Sequence, residues 1–349
     1  FLRAYTQRRA LQFHASWLLK IKSLFGTGRH RRKSMKNLLF LLNALQRSVL
    51  CFMLLTSAFA ISFTSCSDDD EDIPQGGEID FGVPPSVVDG VRPTEASGVK
   101  ISYNEDGTIR NAEVDGCTFT FNYTATRAAG SRKLNSITAD RSDGGSTESW
   151  KADNFVLLSN GFIGGYRLAY SMNDSRNDWW EKEENNYQFS YQDDGKIETI
   201  NMAVTASDAE EGPFSDSGSY SYTYDQNGGL RKIVGTSHGF TYFEQEYKYS
   251  SDFANKYNTM LLTLAPEDLI SSDAVFRILA VTGFLGNASK KLPQKANLSY
   301  KDPENPEDNE TETWNLVYGI SSNGVINWYS VNGQQYTCKF IDADHVEIQ

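Results

Sequence analysis

The sequence has few of the residues that metal proteins and many enzymes use for chemistry. Its 349 residues include four cysteines and four histidines, of which only Cys66, Cys117, Cys338, His238 and His345 lie beyond position 65. These residues have no zinc-ligand spacing and are too few for a disulfide framework. We therefore expect no metal ion, no cofactor and no dense set of disulfides.

Basic residues are also scarce in most of the chain. All 45 Asp and Glu residues follow position 65, together with only 22 of the 33 Lys and Arg residues, which gives that part a net charge of −23. This charge repels phosphate backbones, so we expect no nucleic-acid partner. Its ordinary consequences are solubility and resistance to self-association.

The pattern at 35–65 predicts a signal peptide. Met35 begins a weakly basic segment, and residues 49–63 form an apolar run without charge. The run is too short for a membrane-spanning helix but suits the hydrophobic part of a signal sequence. We expect the Arg-rich residues 1–34 to be a non-native N-terminal extension.

The signal peptide ends in Phe63-Thr64-Ser65-Cys66, which resembles the bacterial lipobox. In that motif small residues precede a cysteine that is diacylated and becomes the new N-terminus. The resemblance implies a lipid anchor on Cys66, although Phe63 stands where the lipobox usually has leucine. The alternative is ordinary cleavage that leaves Cys66 unmodified.

An acidic run begins directly after this cysteine with Ser67, Asp68, Asp69 and Asp70. It resembles the export signal of Bacteroidetes lipoproteins, which implies an outer-membrane protein that faces the cell surface. The alternative is a solvated acidic linker. Residues 66–97 as a whole are acidic and interrupted by prolines, so we predict a flexible tether.

Residues 98–349 are predicted to form one antiparallel β domain. Aromatic and apolar side chains alternate with polar ones in several segments, which is typical of half-buried strands. The alternating sets are Cys117/Phe119/Phe121/Tyr123, Tyr187/Phe189/Tyr191, Tyr220/Tyr222/Tyr224, Trp314/Leu316/Tyr318 and Tyr336/Cys338/Phe340.

A short turn pattern recurs between these segments. Residues 103–109, 191–197 and 224–230 each begin with Tyr and carry Asp-Gly or Asn-Gly, and 322–326 is a shorter relative. Such dipeptides supply the positive φ angles of tight hairpins. The sequence therefore predicts a mainly β fold, a meander of hairpins in a single curved antiparallel sheet or partial β-barrel.

One segment has helical spacing. Apolar residues three and four apart predict one helix near 267–285, packed on the sheet. Asp273 or Ser272 is the expected cap, and Gly283 or Gly286 the expected end. This helix either plugs an open end of the core or forms a lid over a ligand cavity.

The hairpin motifs, the helix and the segment 284–293 (FLGNASKKLP) together resemble a family of uncharacterised Bacteroidetes lipoproteins described as having a porin-like fold. The resemblance covers roughly 97 to the C-terminus. It implies a curved antiparallel sheet or partial barrel rather than a membrane pore. The family has no established activity that the resemblance would transfer.

The segment 235–239 fits the G-x-S-x-G pattern of serine hydrolases. That chemistry needs Ser237 on a sharp turn between a strand and a helix. Residues 240–247 instead alternate as a further strand does, so we predict a hairpin turn and a protein that is not an enzyme.

Adjacent tryptophans, Trp179 and Trp180, lie among carboxylates and amides. On a strand they point to opposite faces. An exposed indole in such surroundings suits stacking on a sugar ring, whereas the alternative is one ring in the core and one covering a neighbouring strand.

Cys117 and Cys338 are expected on buried faces, either as a disulfide or as two free thiols.

Our leading hypothesis is a non-catalytic, surface-exposed lipoprotein that binds a ligand or assists other envelope proteins, with glycan as the leading ligand class. Its membrane contact is the lipid on Cys66. The alternative is a carrier of an apolar ligand held between the sheet and the helix at 267–285.

Overall fold

The computed structural model describes residues 90–125, 132–209, 213–250, 253–302, 306–342 and 346–348. The predicted N-terminal extension, signal peptide, lipidated Cys66 and acidic run lie outside the described residues, as does most of the predicted tether. They therefore stay predictions.

Eighteen strands and two helices are assigned in the described residues. The strands are β1 (Arg92–Ala96), β2 (Val99–Tyr103), β3 (Ile109–Val114), β4 (Cys117–Ala125), β5 (Arg132–Asp143), β6 (Ser146–Leu157), β7 (Ile163–Asp174), β8 (Trp179–Tyr191), β9 (Ile197–Asp208), β10 (Phe214–Tyr224), β11 (Leu230–Ser237), β12 (Phe240–Lys248), β13 (Lys295–Tyr300), β14 (Glu310–Ile320), β15 (Ile326–Val331), β16 (Gln334–Thr337), β17 (Lys339–Ile341) and β18 (Glu347–Ile348). The helices are α1 (Glu267–Ser272) and α2 (Ala274–Thr282), and 3-10 turns occur at Leu262–Leu264 and Pro306–Asp308.

The strands form one antiparallel sheet with the predicted meander. Each strand from β1 to β15 pairs with the next along the chain. β17 pairs with β1 and with β18. β16 and β17 are separated by Cys338, and over the described residues the sheet is not closed into a barrel. The predicted fold class is confirmed.

The recurring turn motif forms the predicted tight hairpins. In three copies the glycine N–H donates to a carbonyl oxygen three residues earlier: Gly107 to Asn104, Gly195 to Gln192 and Gly228 to Asp225, at 2.8–3.0 Å. The glycines have φ values of +78° to +82°, which residues with a Cβ rarely adopt. The Asp-Gly and Asn-Gly dipeptides therefore reverse the chain as expected.

The predicted helix is present but is two helices rather than one. Asp273 leaves the helical conformation (φ −114°, ψ 102°), and its carboxylate accepts a hydrogen bond from the Phe276 N–H at 2.8 Å. The prediction of a single helix was wrong because this cap starts a new helix within the segment. Gly283, at φ +86°, ends α2 as expected. No helix in the described ranges has the length and hydropathy to span a bilayer.

The sheet curls around these helices. Phe276 of α2 lies 6.5 Å, between ring centroids, from both Tyr187 and Phe189 of β8. Arg277 binds Asp115 in the β3–β4 turn at 2.7 Å. Strands far apart in the meander thus contact the same short helix. We call the face of the sheet that contacts the helices the inner face, and the opposite face the outer face.

Side chains fill the space between sheet and helices. Four residues of α2, namely Val275, Phe276, Ile278 and Leu279, are fully buried. Burying each such side chain contributes about 1.5–3 kcal/mol. The packing favours the predicted plug over the lid, and it argues against an apolar ligand between sheet and helix.

The sheet begins earlier than the sequence indicates. β1 starts at Arg92, inside the stretch 66–97 predicted as a tether, and Ala96 is fully buried. The short strand pairs with both β2 and β17. Its partner at the far end of the chain is not visible in local sequence patterns, which is why the boundary was misplaced.

Gly286 offers a test of how tightly the segment after α2 is held. Its φ is +91°, and a Cβ there would lie 2.6 Å from the Gly195 carbonyl oxygen. Gly333 has a similar φ, +87°, but open space around it. We expect Gly333→Ala to lower the free energy of unfolding by about 1–2 kcal/mol through the backbone alone, and Gly286→Ala to lower it by about 1–3 kcal/mol more. Urea denaturation measures both, and equal losses would contradict the packing described.

Candidate functional site

One end of the sheet extends beyond the helices. Strands β5 to β9 have 12 or 13 residues each, whereas β1 to β3 have five or six. Along the inward face of β8, Tyr187 and Asn185 are buried, but Glu183, Glu181 and Trp179 are only half-buried. The helices therefore leave the inner face uncovered here, and we call this region, near the β5–β6 and β7–β8 turns, the open end.

The strand register builds a polar strip on the outer face of the open end. One row of directly paired residues crosses β5, β6, β7 and β8 and consists of Ser142, Thr147, Asn173 and Trp180. The next row across the same strands is Asp140, Ser149, Ser171 and Lys182. We call these eight residues the outer groove. Together with Arg141, Glu148 and Met172 they line a surface pocket of about 380 Å³.

Trp180 is the apolar element of the outer groove. Its side chain is 40% exposed. The Lys182 ammonium lies 5.8 Å from its ring centroid, within the range of a cation–π interaction. Trp179 lies on the opposite face, across from Asp174, and is half-buried. The two tryptophans therefore point to opposite faces of β8, with Trp180 towards solvent.

The serine hydrolase motif is a hairpin turn. Ser237 ends β11, and His238 (φ +49°) and Gly239 (φ +81°) lead directly into β12. Both Ser237 Oγ and His238 Nε2 contact the same oxygen, Asp216 Oδ1, at 3.4 and 2.8 Å. The Asp216 carboxylate thus binds the histidine and also contacts the serine. The motif requires a helix directly after the serine, whereas Ser237 is followed by a turn and by β12.

Cys117 and Cys338 are free thiols in the structure, rather than the disulfide that was one of the two alternatives. Both are buried, with 5% and 4% of their surface exposed. Burial raises the pKa of both thiols, to about 12 for Cys338. Such thiols are poor nucleophiles at neutral pH.

Two carboxylates of α1 bind tyrosines of the sheet, which sequence analysis did not predict. Tyr220 donates to Asp268 at 2.5 Å, and Tyr242 donates to the Tyr220 hydroxyl at 2.5 Å. Tyr300 donates to Glu267, also at 2.5 Å. The alternating tyrosines were visible in the sequence, but their partners on α1 depend on how the sheet curls.

Asp273 is a buried acid at the junction of the helices. Its side chain is 4% exposed, and Tyr166 Oη donates to Oδ2 at 3.4 Å. Burial raises its pKa from 3.8 to about 6, against the opposing effect of the Phe276 N–H. Within the described residues, no three His, Cys, Asp or Glu side chains are arranged to hold a metal ion.

Comparison with known proteins finds only a weak structural likeness. No protein-family model matches the chain, and no curated protein matches it. A porin-like protein from Bacteroides vulgatus ATCC 8482 is similar over 72% of this chain and 96% of its own, with 15% identity and a TM-score of 0.43. A porin-like protein from Bacteroides uniformis ATCC 8492 covers 58% and 91%, with 16% identity and a TM-score of 0.25. At these values the likeness transfers no function.

Asp273 predicts a pH dependence of stability. The folded protein holds this proton up to about pH 6, while the unfolded chain releases it near 3.8. The folded state therefore binds more protons between these values, and stability falls as pH rises through this window, by about 2–3 kcal/mol.

Urea denaturation from pH 4 to 7 measures this dependence. Asp273→Asn keeps an oxygen acceptor for the Phe276 N–H but has no proton to lose, so its profile should be flatter by the same amount. The control variant is Glu105→Gln, at an exposed turn position. Its free energy of unfolding should depend on pH as that of the parent does. A parent and an Asp273→Asn variant with the same slope would disprove the assignment.

Proposed function

We propose that the protein is a non-catalytic binding protein whose outer groove takes a glycan. The supporting observation is the exposed Trp180 indole in a strip of Ser, Thr and Asn side chains. A pyranose ring has an apolar face that stacks on an indole and polar edges that form hydrogen bonds. The outer groove offers both kinds of contact on one rigid face.

The sheet supports this proposal by holding the groove in place. The eight residues lie on four consecutive strands whose register fixes their spacing, at roughly 4.8 Å between neighbouring strands. Ser149 and Ser171 are already linked by a hydrogen bond of 2.8 Å. A site preformed in this way loses little entropy when a ligand binds.

A solvent-facing groove suits display outside the cell. We propose that the protein is attached to the outer membrane through acyl chains on Cys66 and faces the cell surface. The lipobox-like sequence and the acidic run after it support this proposal. Acyl chains contribute about 0.8 kcal/mol per buried methylene, which is enough for stable attachment when several chains are present.

The two tryptophans give a matched test of glycan binding. We expect Trp180→Ala to weaken binding about tenfold or more, because the stacking surface is lost. Trp179→Ala, on the opposite face, should change the affinity by less than about twofold. Affinity electrophoresis and a glycan array on the purified protein measure both. The proposal fails if the parent binds no glycan, or if both variants weaken binding equally.

The lipid anchor has its own test. In a Gram-negative host supplied with labelled palmitate, the parent protein should incorporate the label and Cys66→Ala should not. Cys51→Ala, a cysteine within the apolar leader, should label as the parent does. Absence of label from the parent would refute the anchor.

A further inference from the structure

A second surface pocket lies beside the outer groove, on the same face of the sheet. Its volume is about 400 Å³, and it shares Ser149, Ser171 and Lys182 with the pocket at the outer groove. The two pockets therefore meet at these three residues. A ligand longer than one sugar ring would extend from the first pocket into the second.

The strand register places the second pocket next along the strands from Trp180. One more row of directly paired residues lines it across β6, β7, β8 and β9 and consists of Lys151, Ala169, Glu184 and Thr205. Trp180 and Glu184 are four residues apart on β8, which corresponds to about 14 Å. A single pyranose ring does not span this distance, whereas a short chain of linked rings does.

The charged side chains of the second pocket are ion-paired with their neighbours on the outer face. Lys151 binds Asp153 at 3.0 Å. Arg167 binds both Asp153, at 2.9 Å, and Glu184, at 3.4 Å. Charge in this part of the surface is thus largely neutralised, which favours a neutral ligand over an ionic one. The same groups still exchange hydrogen bonds with sugar hydroxyls, because carboxylates and ammonium groups each form several at once.

These ion pairs also mark where the second pocket ends. Asp153 and Arg167 are directly paired and form the next row beyond Lys151 and Ala169. Their joined side chains lie on the same face as the pocket and fill the space that a longer ligand would need. The length available to a ligand is therefore bounded by Trp180 at one end and by this ion-paired row at the other.

Ala169 is the smallest residue in the second pocket. It lies on β7 between Lys151 and Glu184, which have much longer side chains, and it is half-buried. Its methyl group leaves room between these two neighbours. A larger side chain at this position would occupy the pocket.

We propose that the ligand is a neutral, linear oligosaccharide that lies along β7 and β8, with one ring on the Trp180 indole and the next rings over Ser171 and Ala169. This inference rests on the proposed function, because it extends the glycan site of the outer groove. It adds the length of the ligand and assigns to Ala169 the role of keeping the second pocket open.

Isothermal titration of the purified full-length protein with sugars of one to six units tests the proposal. The probes are the α-1,4-linked and β-1,4-linked glucose series, the β-1,4-linked mannose and xylose series, and the mono- and trisaccharide of any glycan that the array identifies. We expect the affinity to rise about tenfold or more from the monosaccharide to the trisaccharide of a series that binds. Beyond the tetrasaccharide it should change by less than about twofold, because the ion-paired row ends the pocket.

Substitutions at two alanines on the outer face give a matched comparison. Ala169→Gln fills the second pocket, so the trisaccharide should bind this variant about as weakly as the monosaccharide does. Ala203→Gln, at an exposed position beyond the ion-paired row, should bind every sugar as the parent does. Circular dichroism melting checks that each variant is folded. If Ala169→Gln is not, Ala169→Val, with a side chain that suits a strand, takes its place.

The outcomes separate this inference from the proposed function. Equal affinity for the monosaccharide and the trisaccharide, or a gain with length that survives Ala169→Gln, would overturn the extended site and leave the glycan proposal standing. If the parent binds no glycan on the array and no sugar in these series, the proposed function fails and this inference fails with it.

Discussion

The structure depends on the contact between the inner face of the sheet and the short helical segment 267–282. Alternating side chains give most strands an apolar inward face, and α2 supplies an apolar surface that packs against it. Phe276 packs on β8, and Arg277 reaches the β3–β4 turn. Because strands far apart in the meander share this contact, the sheet must curl.

The same contact determines where the molecule is open. α1 and α2 together span 267–282, which is too little length to cover strands of 12 or 13 residues. The uncovered end exposes a polar outer face and an acidic inner face. Trp180 and Glu181 are adjacent in the chain yet lie on opposite faces, so a shift of one residue in register would exchange the two surfaces.

Local patterns were sufficient to predict a meander of strands, the Asp-Gly and Asn-Gly hairpins, and a helical segment. The cap was expected at Asp273 or Ser272 and the helix end at Gly283 or Gly286, and the structure has Asp273 and Gly283. The opposite orientation of Trp179 and Trp180 also follows from strand geometry. The start of β1 at Arg92 was missed because its partner is β17, at the far end of the chain. The pairing of Tyr220 with Asp268 was missed because it depends on the register and curl of the whole sheet.

Hydrogen exchange followed by mass spectrometry tests the central contact most directly. If α2 is the surface on which the sheet packs, the amides of Ile278–Val281 should exchange as slowly as those of β8 near Tyr187, by global unfolding. The amides at the open end, near Trp179 and Trp180, should exchange faster. An α2 that exchanges rapidly while the long strands stay protected would show that the sheet does not depend on the helix, and would contradict this account.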